Sequence, residues 1–245
     1  MDTTVSPLTP DRPPSHPTGF RSIPFGYPGI KLLVALGLLF VTSPFVEDLA
    51  YGNLIESLLL TVVMVAALLA VGGQRRTFHV AMVLIVPAVL AKWLTHLDLV
   101  PKVVYPATGV VFFGYVVAQL LRYILNVSRV DTNVLCAGLS GYILLGLLWI
   151  PLYEMVAKLN PASFAFPAGS ESAAPLDGFN AFYFSFMTLC TVGYGDITPM
   201  SRPARMLAVT EAVAGLFYVA VLISRLVAVY STTPPPAAKD SLNKP

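Results

Sequence analysis

Six long, nearly uncharged apolar stretches constrain this chain more than any other feature. They run over about 30–46, 53–72, 78–94, 102–126, 132–157 and 203–230. A helix needs about 20 mostly apolar residues to cross the hydrocarbon core of a bilayer, and each stretch comes close to that length or exceeds it. The reading is an all-α membrane protein with six transmembrane helices. Composition agrees: charged residues make up 11% of the 245, against roughly 25% in a soluble domain, and mean hydropathy is +0.74. With a formal net charge of +2 and no basic runs, nucleic acid is not an expected partner; membrane lipids are.

Between the last two stretches the pattern changes. A Pro/Ala/Ser-rich loop, KLNPASFAFPAGSESAAPLDG, leads into FNAFYFSFMTLC, 12 residues long and too short to cross. It reads as a re-entrant half-helix, capped by Asp177 or Asn180, whose carboxyl end aims a partial negative charge at its tip. TVGYGD follows at 191–196. Irregular backbone at membrane depth is tolerated only where it lines a water-filled path or is buried in protein. Gly193 and Gly195 alternate with larger residues and reach positive φ without steric penalty. Alternating handedness turns successive carbonyls toward one axis, where they replace the water shell of a bare cation.

The string T-x-x-T-V-G-Y-G-D, with Pro199 shortly after, resembles the signature of the tetrameric potassium channels. The resemblance covers the pore module over 132–230: outer helix, turret, pore helix, selectivity filter and inner helix. It implies a potassium-selective channel assembled as a homotetramer, since one chain supplies one such loop. The backbone carbonyls of Thr191, Val192, Gly193 and Tyr194, with the Thr191 hydroxyl, then hold K+, and Gly195 closes the outer end. The resemblance also implies filter support from Asp196 at the outer mouth and from Tyr183 and Phe184, on which Tyr194 leans. Gly215, twenty residues after Gly195, takes the place of a gating hinge. No cofactor is expected beyond the permeant K+ ions, and no enzyme activity.

In the last stretch Leu216, Val219, Ile223 and Val227 share one helical face. They read either as the lining of a cavity and gate or as plain helix packing. Glu211 is a carboxylate about two turns into that span, a functional suspect by its position alone. It is either a proton-sensitive strut behind the filter or a carboxylate satisfied by Thr188 or an outer-edge arginine. The familiar filter-side glutamate of the family lies on the pore helix, where this chain has Met187.

Ten of the fifteen basic residues fall on the side shared by both termini, so the positive-inside rule places both termini in the cytoplasm. The setting is a multi-pass cell membrane protein, by resemblance a bacterial inner-membrane one. The expected organisation is a Pro-rich cytoplasmic tail at 1–29, a four-helix membrane domain at 30–131, the pore domain at 132–230 and a tail at 231–245. Neither tail reads as folded, no cleavable signal leads the chain, and no cytoplasmic regulatory domain is expected on it. The fourth stretch lacks arginines through its centre; Arg122 and Arg129 sit at one end. It therefore makes no voltage sensor, and the chain is similar to bacterial six-span channels without one. Cys136 and Cys190 read as small buried hydrophobes, and His16, His79 and His96 form no metal pattern. The competing readings are a potassium-uptake subunit, a non-conducting regulatory subunit and an enzyme. The single pore loop, the intact filter string and the lack of any nucleophile–base pair count against them in turn.

Overall fold

The computed structural model describes residues 28–46, 51–71, 75–96, 99, 101, 104–127, 131–166, 176 and 178–231. The segments expected as tails lie outside these residues except at their inner edges, where the first and last helices begin and end. Among the described residues, seven α-helices follow in order: α1 (Pro28–Val46), α2 (Gly52–Val71), α3 (Arg75–His96), α4 (Val104–Asn126), α5 (Thr132–Leu159), α6 (Gly178–Leu189) and α7 (Arg202–Ser231). Among the described residues, four segments are long and apolar enough to span a membrane: Thr77–Thr95, Val104–Asn126, Thr132–Leu159 and Arg202–Val229. Gly29–Phe45 and Ser57–Val71 are apolar but shorter. The chain is a multi-pass membrane protein.

The outer helix α5 is the hub, packing against α1, α4, α6 and α7. Its start is fixed by Asp131, whose Oδ1 accepts from the Val134 N–H at 2.9 Å, an N-cap of the favoured type. Asn133 Oδ1 then accepts from the Gly29 N–H at 3.0 Å, tying the first helix to the start of α5. One apolar cluster joins Leu32, Met64, Ile85, Phe112 and Leu144 to Phe186 and Leu189, so the N-terminal helices and the half-helix share a core. A second cluster (Trp149, Tyr153, Phe164, Phe184, Ile197 and Ala204) packs the end of α5 against α6 and the start of α7. Tyr153, Phe164 and Phe184 meet edge to face there, with centroids 4.9–6.0 Å apart, a favoured aromatic geometry.

The first residues after α5 form regular structure, which their Pro/Ala/Ser composition did not indicate. Asn160 Oδ1 accepts from Ala162 N–H, starting a 3-10 turn at Pro161–Ser163. Phe164–Ala165 (β1) then pairs antiparallel with Thr198–Pro199 (β2), and Ser163 O accepts from Met200 N–H at 2.7 Å. The segment that leaves the filter is thereby pinned to the end of α5. Capping by Asn180 does not occur, because α6 already begins at Gly178 and places Asn180 inside its first turn; Asp177 lies outside the described residues.

At the other end of the bundle Arg225 of α7 reaches the carboxyl end of α4. Its Nη2 donates to Val127 O at 2.7 Å and its Nε points at Ile124 O at 3.5 Å. The last carbonyls of a helix lack intrahelical partners and carry its negative end, so a guanidinium fits there. Arg225→Ala should cost stability toward the low end of the about 1.5–3 kcal/mol typical of hydrogen bonds to charged groups. The midpoint of thermal unfolding of the detergent-purified chain checks it; an unchanged midpoint refutes the tie.

Candidate ion-conducting filter

At 12 residues, α6 is about 18 Å long at 1.5 Å per residue, too short for a hydrocarbon core of about 30 Å. It ends where the filter string begins, and the junction is held by backbone bonds. Cys190 N–H donates to Phe186 O and Thr191 N–H to Thr188 O, both at 3.0 Å. Val192 N–H donates to Met187 O at 2.9 Å and Gly193 N–H to the same oxygen at 3.3 Å. The N–H groups at the start of the string thus face back into the carboxyl end of the half-helix.

The carbonyls behave differently. Among the described residues, no hydrogen bond is accepted by the carbonyl of Thr191, Val192, Gly193, Tyr194 or Gly195. Positive φ recurs at alternate positions: Thr191 at 56°, Gly193 at 57° and Gly195 at 81°. The expected alternation is present, and it includes Thr191, a β-branched residue for which this conformation is costly. A strained residue inside a bonded frame is the kind of position found at ligand sites. All of Thr191–Asp196 is exposed in the single chain.

Asp196 closes the string. Its Oδ2 accepts from the Tyr183 hydroxyl at 2.7 Å and its Oδ1 from the Ile197 N–H at 2.9 Å. The Tyr183 hydrogen bond, above all, holds the carboxyl below the usual carboxylate range, since a donor stabilises the charged form. Tyr183 and Asp196 are therefore brought together across the half-helix and the filter exit. Tyr194 is not brought to either of its expected supports within one chain. Its ring is 72% exposed, and Phe184 turns away into the Tyr153–Phe164 cluster. Thr188 meets the filter through its carbonyl and is not a partner of Glu211.

Gly215 is buried at a close approach. A Cβ there would lie 2.8 Å from Leu189 O and Cδ1, so the inner helix passes the end of the half-helix at a distance that suits glycine. Leu216, Val219, Ile223 and Val227 are all exposed in the single chain, at 37–61%. Glu211 is fully buried. It accepts from the Tyr153 hydroxyl at one oxygen, and Ser185 Oγ lies 2.6 Å from the other. The partner is a pore-helix hydroxyl of the expected kind, one turn earlier than Thr188. Tyr153 was not legible as a partner, being 58 residues away in sequence. Cys190 corrects its sequence reading: it is exposed, because the last turn of the half-helix turns it away from the chain's own core.

Comparison with known proteins follows this geometry. The family model described as "Ion channel" matches residues 134–232. Two pore potassium channel c of Oryza sativa subsp. japonica is 42% identical over 48 residues, 20% of this chain and 10% of that protein. Voltage-gated potassium channel Kch of Escherichia coli is 44% identical over 48 residues, 16% of this chain and 12% of that protein. Protein LctB of Bacillus caldotenax is 30% identical over 128 residues, 47% of this chain and 92% of that protein. The chain thus spans only a small part of the two potassium channels but nearly all of LctB. No solved structure matches it.

The Tyr183–Asp196 bond has a testable sign. Asp196 is held low, so the bond's contribution is present above the ordinary carboxylate value and is lost as pH falls through the lowered one. In Tyr183→Phe the Asp196 carboxyl should titrate at higher pH, followed by its side-chain 13C shift; an unmoved midpoint refutes the assignment. With an ion-channel model over residues 134–232 and a relative matched over nearly its whole length, the chain belongs to the ion-channel family, and shorter stretches of it are similar to potassium channels.

Proposed function

We propose that the chain forms a potassium-selective channel, a homotetramer that passes K+ down its gradient and is not steeply voltage-gated. The observation that carries the reading is the row of carbonyls on Thr191, Val192, Gly193, Tyr194 and Gly195. They accept no hydrogen bond among the described residues, while the adjoining N–H groups are bound to Met187 and Thr188. Unpaired carbonyls at membrane depth are costly unless something replaces water around them, and a dehydrated cation is suited to rows of such oxygens. K+ is the permeant ion by the intact TVGYG string and by the names of the relatives.

The homotetramer is supported by count and exposure. One chain supplies one loop, a ring needs several, and both the filter string and the row Leu216, Val219, Ile223 and Val227 lie open on the single chain. Six membrane crossings, with α6 re-entrant between α5 and α7, are supported by the six apolar helices and by the short length of α6. Both termini are cytoplasmic by the distribution of basic residues. Weak voltage dependence is supported by α4, in which Arg122, close to the helix end, is the one basic residue. A sensor needs several charges within the field.

The test is flux from liposomes loaded with potassium, with and without external barium, alongside Gly193→Ala. A Cβ at the positive φ of Gly193 disturbs the filter backbone. Barium-blocked flux that carries K+ but not Na+, and is lost in the alanine variant, is the expected result. Equal flux for Na+, or flux indifferent to the alanine, refutes it.

A further inference from the structure

The buried face of the inner helix carries a group that ion passage through the filter does not use. Glu211 sits between α5 and α6 with none of its surface exposed. Among the described residues no Lys, Arg or His pairs with it. The hydroxyls facing it are Tyr153 from α5 and Ser185 from α6, with Tyr142 of α5 more distant. No charged group of α4 or β2 touches it among the described residues. A carboxylate buried without a cation bears a heavy desolvation penalty.

Proton counting separates the two forms the carboxyl can take. Ser185 has one proton and is buried between two oxygens, Glu211 Oε1 at 2.6 Å and Gly146 O at 2.9 Å. A carbonyl can only accept. If Glu211 is a carboxylate, it too can only accept, so one Ser185 proton faces two acceptors. If Glu211 is a carboxylic acid, Oε1–H donates to Ser185 Oγ and the Ser185 O–H donates to Gly146 O. The Tyr153 hydroxyl donates to the other carboxyl oxygen. Each of the three contacts then pairs one donor with one acceptor.

We propose that Glu211 is held as a neutral carboxylic acid and is a positioning residue for the half-helix, relaying hydrogen bonds from Tyr153 through Ser185 to Gly146. The relay fastens α6 to α5 and α7 one turn before the carbonyls of Met187 and Thr188 that hold the filter. Ionisation of Glu211 removes the proton that Ser185 accepts and loosens α6. The relevance to potassium passage rests on the function proposed above, but the relay itself is tested without measuring flux.

The experiment uses the full chain reconstituted in lipid. Infrared spectra at neutral pH should contain a protonated-carboxyl C=O band that disappears in Glu211→Gln. Amide exchange across Gly178–Leu189 should be as slow in Glu211→Gln as in the native chain, because the amide accepts from Tyr153 and donates to Ser185 as the acid does. It should be faster in Ser185→Ala, which cuts the relay without burying a new group. Alkaline pH should remove the carboxyl band and speed exchange in the native chain but not in Glu211→Gln. No band at neutral pH, fast exchange in Glu211→Gln, or unchanged exchange in Ser185→Ala overturns the proposal. Absent flux with these signatures intact counts against the channel reading and leaves the relay standing.

Discussion

Everything at the α6 end of this molecule depends on how one short, non-helical segment between α6 and α7 satisfies its backbone. Its first N–H groups close onto the carbonyls of Met187 and Thr188. Alternating positive φ at Thr191, Gly193 and Gly195 leaves the carbonyls of the string without protein donors. That division of polar groups leaves a row of unpaired carbonyls, the feature on which the proposed ion-binding role rests. It also requires the half-helix to be held still, because a shift of α6 moves the oxygens to which the filter is tied.

The rest of the fold meets that requirement from three sides. The outer helix supplies the Tyr153 ring and its hydroxyl, the inner helix supplies Glu211 and the close passage at Gly215, and the strand pair pins the filter's exit to Ser163 and Phe164. These contacts are polar as well as apolar. Inside lipid, apolar packing alone gives helices little reason to choose one neighbour over another, whereas small residues and hydrogen bonds fix approach and register. The N-terminal helices join the same core through Leu32, Met64 and Phe112, and Arg225 binds the end of α4 to the end of α7. Movement of the first four helices is thus mechanically connected to the inner helix at one end and to the half-helix through the shared core.

The exposed surface has two chemical kinds. The lipid-facing sides of α1–α4 present scattered Val and Leu residues, as suits contact with hydrocarbon. The filter and the open face of α7 instead combine polar backbone with a continuous apolar row. The first surface is complete as it stands in a membrane. The second is the one expected to meet further copies of the chain.

Sequence alone determined the helices and the place of the filter, because both are written in local terms. Length and hydropathy mark a span wherever it lies, and two glycines alternating with larger residues specify a backbone that few other strings can adopt. Tertiary structure alone decided the partners. Tyr183 reaches Asp196 because the chain doubles back at the end of α6. Glu211 meets Ser185 in place of Thr188 because the angle between α6 and α7 selects one turn over the next. Tyr153 comes to the same carboxyl because α5 runs alongside. Phe184 faces away from Tyr194 because its side of α6 packs on Tyr153 and Phe164. Cys190 is open because the half-helix ends at the edge of the chain's own core. Contacts between distant segments follow from crossing angles and register, which composition and spacing do not encode, whereas apolar length and an alternating backbone handedness are properties of a segment by itself.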